Sequence, residues 1–133
     1  MNDLHVRAVY FVSDAVRALD HYTRDLGFTL DWTYEEQGRA FVFQVSLYNF
    51  QLILNQAEEN TRSRVGQGRI FMGLNEEQLD VMCRHIHAHR IATRVTWWGR
   101  QTLQVSDQDG NDFYFWLPNQ GQNWEEELAR PRA

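Results

Sequence analysis

The sequence predicts an α+β fold made of two successive βαβββ modules, and three observations carry that reading. The order strand, helix, strand, strand, strand can be traced twice, with the two post-helix positions, Gly27 and Ile91, about 64 residues apart. Between the copies, Gln56–Gly68 (QAEENTRSRVGQG) is polar, glycine-containing and aperiodic, the character of a linker or mobile loop. Residues 97–117 (WWGRQTLQVSDQDGNDFYFWL) read as two strands closed by Asp107–Asn111, whose Asx and glycine residues tolerate positive φ.

In the first copy, Leu4–Val12 alternates as a strand, with His5, Arg7, Val9 and Phe11 on one face. Ser13 or Asp14 can cap a helix whose apolar stripe is Val16, Leu19, Tyr22 and Leu26, ended by Gly27. Phe28–Tyr34 follows as a strand with Leu30, Trp32 and Tyr34 on one face. After the polar turn Glu35–Gly38, Arg39–Ser46 and Phe50–Leu54 form a hairpin around Leu47-Tyr48-Asn49.

The second copy opens with a strand at Arg69–Leu74. Asn75 and Gln78 form a capping box for a helix over Glu76–Arg90 that buries Leu79, Met82 and Ile86. Ile91–Trp97, Gln101–Ser106 and Asp112–Leu117 complete three strands. On the last, Phe113, Phe115 and Leu117 point one way and Asp112, Tyr114 and Trp116 the other. A strand bulky on both faces is covered on both, here by a helix and by a cavity. The modules are therefore set at 1–56 and 69–118, with a linker at 57–68 and a tail at 119–133. The tail suits either a short docking helix around Trp124 and Leu128 or disorder past Ala129.

Composition narrows the function. A chain of 133 residues with 43% hydrophobic and 23% charged residues is globular. No apolar run reaches the length of a membrane span, and Met-Asn-Asp-Leu-His lacks the layout of a signal peptide. A single cysteine, Cys83, suits a reducing cytosol, so a cytoplasmic location is expected. A net charge of −5 with scattered basic residues argues against nucleic acid and mildly favours cationic partners. Aromatic residues reach 14%, including five tryptophans, more than a core of this size needs.

Two stretches carry a family resemblance. The Trp-Gly…Val-x-Asp-x-Asp-Gly-Asn…Phe pattern of residues 98–113 resembles the closing hairpin of the vicinal oxygen chelate superfamily, which includes glyoxalases, ring-cleaving dioxygenases and bleomycin-resistance proteins. Phe11-Val12-Ser13-Asp14, Ala18-Leu19, His21-Tyr22 and Leu26-Gly27-Phe28 resemble its strand–helix opening. The resemblance covers roughly residues 4–118. It implies that the two modules' sheets curl into an incomplete barrel whose concave interior is the site.

Catalytic members of that family hold a divalent metal with His or Gln on the first strand, His or Glu opening the second module, and Glu on the last strand. The matching positions here are Arg7, Arg69 and Tyr114. A guanidinium has no lone pair to give and stays charged, so the metal centre reads as lost and no cofactor is expected. Gln51 alone cannot rescue it. A shift in register would bring in His5, still without a carboxylate partner. His85, His87 and His89 read as a solvated helix face, His21 as the rim of the first helix, and Cys83 as inert packing. No nucleophile–base pair or phosphate loop is recognisable.

The candidate ligand-binding residues are Arg7, Trp32, Phe43, Arg69, Trp98, Tyr114 and Trp116. Rings there would sandwich a flat ligand, while the arginines would either bond an anion or pair with carboxylates across the sheet. This pattern resembles the metal-free, bleomycin-resistance-type branch, in which two chains form a homodimer with crevices at the interface. The expectation is a binder of a small planar aromatic molecule, antibiotic or natural product, rather than an enzyme. The alternatives are a metal-dependent lyase, isomerase or dioxygenase of the same fold, and a non-catalytic interaction module. The acidic balance favours a cationic ligand and the arginine pair an anionic or neutral one, a conflict left open by the sequence.

Overall fold

The computed structural model describes residues 4–130. The elements run β1 (Ala8–Val12), α1 (Ala15–Asp20), β2 (Thr29–Glu36), β3 (Arg39–Leu47), β4 (Phe50–Gln56), β5 (Arg69–Met72), α2 (Glu76–His89), β6 (Thr93–Trp97), β7 (Gln101–Ser106), β8 (Asp112–Trp116) and α3 (Trp124–Ala129). They form two four-stranded mixed sheets in the orders β1-β4-β3-β2 and β5-β8-β7-β6, with no closed barrel. In each sheet the first strand pairs in parallel with the last, and the other pairs are antiparallel. The fold is the α+β pair of βαβββ modules that the sequence predicts.

Alternation along the strands sorts each sheet into an inner and an outer face. Phe43, Val45, Leu52 and Leu54 of the first sheet and Leu103, Val105, Phe113 and Phe115 of the second are buried, in one core with Leu79, Met82, Cys83 and Ile86 of α2. Phe113 joins the halves: its ring lies 5.3 Å from Tyr10, 6.0 Å from Tyr22, 6.2 Å from Phe28 and 6.4 Å from Phe50. Mostly tilted or edge-on, such pairs each add about 0.5–1.5 kcal/mol beyond the area they bury.

Asp14 caps α1, accepting from the Arg17 amide at 3.1 Å. The helix then widens into a π-helical turn over His21–Asp25. The buried positions are Ala15, Ala18, Tyr22 and Leu26, while Val16 is 58% exposed. That corrects the expected stripe at its first position. The Asn75–Gln78 capping box forms as expected. α3 docks through buried Trp124, whose indole donates to the Pro118 carbonyl at 2.6 Å. The expected disorder past Ala129 falls, apart from Arg130, outside the described residues.

Three expectations change. The first strand begins at Ala8 rather than Leu4, leaving Arg7 ahead of it. A bulge at Asp31 breaks the expected alignment of Leu30, Trp32 and Tyr34: Leu30 pairs with inward-facing Val45, Trp32 with outward-facing Gln44. The linker is not structureless, because Glu59–Arg64 is a 3-10 turn closed by a reciprocal Glu58–Thr61 capping box.

Candidate functional site

Residues 107–112 tie the two halves together. The Asp107 carboxylate accepts from the Tyr22 hydroxyl at 2.8 Å, from the Asn111 side chain at 3.0 Å, and from the amides of Asp109 and Asn111. Asn111 in turn donates to the Phe11 carbonyl and accepts from the Gly68 amide. Tyr10 donates to the Asp112 carbonyl at 2.6 Å, and Ser13 bonds Asp109. Burial, then the nearby charge of Asp107, pushes the Tyr10 and Tyr22 hydroxyls well above the usual phenol range, so both stay protonated donors.

With the core filled, the outer faces of the sheets are left for a ligand. On the second sheet, β5 and β8 run in register as Arg69 with Asp112 and Phe71 with Tyr114, and Trp116 continues that face. The β6–β7 turn folds Trp98 over it. The result is a cluster of four rings: Phe71 lies 5.1 Å from Trp98, 4.6 Å from Trp116 and 6.4 Å from Tyr114, and Trp98 lies 5.1 Å from Tyr114. Trp98 remains 52% and Trp116 41% exposed. The Arg100 guanidinium lies 5.1 Å from the centre of the Trp116 ring.

Trp98, Tyr114 and Trp116, named from the sequence, are therefore brought together, and Phe71 completes them. Phe71 was missed; its place opposite Tyr114 follows from the parallel β5–β8 register. Trp32 lies on the other sheet's outer face with Val9 and Tyr34, and among the described residues no ring contact joins it to the four. Phe43 points the opposite way: it is 4% exposed in the core, across from Leu54, so its assignment to a ligand surface is corrected.

The two arginines take corresponding positions. Arg7 donates from Nε to Gln51 Oε1 at 3.1 Å, reaching from the start of β1 to β4. Arg69 reaches from β5 to β8, where its Nε lies 3.2 Å from Asp112 Oδ2. Three of the chain's carbonyls also lie within bonding distance of Arg69 Nη1. Arg7, Arg69 and Tyr114, matched to the family's metal positions by resemblance alone, offer two cations and a phenol. These do not fit a divalent ion, and among the described residues no group of three His, Cys, Asp or Glu could hold one. His5 is exposed ahead of β1.

A second polar cluster sits where the π-helical turn meets α2. His21 Nδ1 lies 2.9 Å from Asp25 Oδ2, Arg24 Nε 2.9 Å and His89 Nδ1 3.3 Å from Asp25 Oδ1. The Arg24 bond, aided by His21, holds the Asp25 carboxyl below the usual range against the opposing effect of burial. His21 is buried rather than on a rim, and His89 meets Asp25 instead of solvent alone. The close approach of Gly27 to the His85 ring explains why the turns can pack this way.

Residues 4–115 match the sequence model of the Glyoxalase/Bleomycin resistance protein/Dioxygenase superfamily. The chain belongs to that superfamily. Among solved structures it is similar to TnmS3, an antibiotic binding protein from Streptomyces sp. CB03234, with 23% identity, a TM-score of 0.65, and coverage of 86% of this chain and 96% of that one. It is also similar to the fosfomycin resistance protein FosX from Mesorhizobium loti (13% identity, TM-score 0.61, 98% and 100% covered). A third is lactoylglutathione lyase from Agrobacterium tumefaciens (16% identity, TM-score 0.61, 86% and 92% covered). At these identities the likeness is one of fold. No curated protein matches the chain. Among the described residues no helix is long and apolar enough to cross a membrane.

Proposed function

We propose that this protein binds a small planar aromatic molecule, without a metal, on the outer face of its second sheet, in the manner of an antibiotic- or natural-product-binding protein. The observation that carries this reading is the four-ring cluster of Phe71, Trp98, Tyr114 and Trp116, with Trp98 and Trp116 partly exposed on the outer face of the second sheet. The named function of TnmS3 supports it. The arginines at Arg7 and Arg69 weigh against the metal-dependent enzyme reading, since among the described residues no group of three His, Cys, Asp or Glu could hold a metal ion.

A single sheet face cannot enclose a ligand, whereas small-molecule sites bury most of the ligand's surface. The first sheet carries its own exposed outer-face patch of Val9, Trp32 and Tyr34. Paired outer faces of two copies, first sheet against second, would cover both patches and form two equivalent crevices. The working assembly is therefore a homodimer, with Trp32 contributed across the interface.

Titration of the untagged protein with a panel of planar aromatics, followed by tryptophan quenching and calorimetry, tests the reading alongside elemental analysis. Saturable binding by protein lacking stoichiometric metal is expected. One equivalent of zinc, iron, manganese or nickel, or no response from any compound, would overturn it.

A further inference from the structure

Resting on that reading, we infer that the ligand is anionic: a planar aromatic carrying a carboxylate, phenolate or similar group, received by Arg100 at the edge of the ring cluster. The chain as a whole is acidic, with a formal charge of −5, but its outer sheet faces are not. On the second sheet, Arg69, Arg94 and Arg100 accompany one carboxylate, Asp112. That carboxylate is already engaged by Arg69 and by the Ser106 hydroxyl. On the first sheet Asp31 accepts from Gln44 and Ser46, both at 3.0 Å, and Glu35 lies at the far tip beyond Tyr34. A cationic ligand would have to displace these bonds.

The arginines are differently placed. Arg7 meets the neutral Gln51, and Arg64 lies over the Phe11 ring at 5.5 Å. Among the described residues the Arg100 guanidinium makes one hydrogen bond, from Nη2 to the Leu117 carbonyl at 3.1 Å, while it lies over the Trp116 ring. Glu76 lines the same groove of about 180 Å3 as Arg100 and Trp116, yet forms no ion pair with the arginine. Arg100 therefore combines a stacking surface with unused N–H donors, the geometry that binds a carboxylate on a flat ring. The acidic side chains responsible for the overall charge lie largely elsewhere, on α2 (Glu77, Asp80), α3 (Glu125, Glu126, Glu127) and the first helix (Asp20, Asp25).

Three isosteric probes separate charge from shape: 9-anthracenecarboxylate, 9-anthracenemethanol and 9-(aminomethyl)anthracene, titrated calorimetrically at low and at physiological salt. The carboxylate is expected to bind roughly tenfold or more tightly than the ammonium, with a gap that narrows as salt rises. Arg100→Gln should reduce the gap severalfold, while Arg17→Gln, an equal charge change on α1, should leave it intact; circular dichroism confirms that both variants are folded. If the ammonium binds as well as the carboxylate, or Arg100→Gln leaves the preference unchanged, the anionic assignment fails and the binding reading stands. If none of the three binds, both fall.

Discussion

The Tyr22 hydroxyl donates to Asp107 Oδ2 at 2.8 Å across a sequence separation of 85 residues. One partner belongs to the helical segment of the first module and the other to the closing hairpin of the second, so this bond connects the modules. The carboxylate receives four donors in all and is nearly excluded from solvent. Tyr22→Phe should cost about 1.5–3 kcal/mol, the worth of a hydrogen bond to a charged group. Asp107→Ala should cost more, because it removes the acceptor of three further donors, two of them backbone amides of the turn. Urea unfolding of the two variants checks the order.

The same tyrosines set a pH dependence. Burial raises the folded-state values of Tyr10 and Tyr22 above the 10.0 of an unfolded chain, so above that pH the unfolded state releases protons first. Stability is fully present below pH 10 and falls as the pH rises beyond it, by up to about 1.4 kcal/mol per pH unit for each tyrosine. Tyr22→Phe should flatten the alkaline limb by about one proton. An unchanged slope in denaturant titrations between pH 9 and 11.5 would mean that the Tyr22 hydroxyl is not held protonated by the fold.

Much of this junction was legible in the sequence, because Asp107-Gln108-Asp109-Gly110-Asn111 declares a tight turn through local chemistry alone. The duplication was legible too, and more sharply than the post-helix spacing suggested. Gln44-Val45-Ser46 and Gln104-Val105-Ser106 are the same tripeptide, each on the third strand of its sheet, and each serine hydroxyl bonds a carboxylate, Asp31 or Asp112. What periodicity could not give was the effect of one inserted residue. The bulge at Asp31 shifts a strand face by one position, so that Leu30 and Trp32 part although they are two residues apart.

Two glycines at the entry to β5 should be intolerant for different reasons. Gly66 has φ +76°, and a Cβ there would run into the Asp109 carbonyl; at Gly68 it would run into the Tyr10 ring, which holds the Asp112 carbonyl. Alanine at either is expected to destabilise by about 1–3 kcal/mol or more, through strain at Gly66 and overpacking at Gly68. Gly121, with negative φ and open space, should accept alanine within about 0.5 kcal/mol. Thermal melts of the three variants would contradict the packing described if Gly68→Ala melted with Gly121→Ala.

Phe43 and Trp116 are aromatic residues on opposite faces, and their variants should fail in opposite ways. Phe43 is enclosed in the core, so Phe43→Ala should cost about 3–5 kcal/mol of stability, and whatever fraction stays folded should keep its affinity for a planar ligand. Trp116 is 41% exposed and touches Phe71 and Arg100, so Trp116→Ala should leave most of the stability and weaken ligand binding by about tenfold, one stacked ring's worth with its burial. Trp32→Ala supplies the third arm. If the crevice is completed by a second copy, this substitution weakens binding and dimerisation together; if the second sheet binds alone, it changes neither. Paired measurement of unfolding, affinity and sedimentation for the three variants separates a core residue, a ring of the binding face and a residue supplied across an interface.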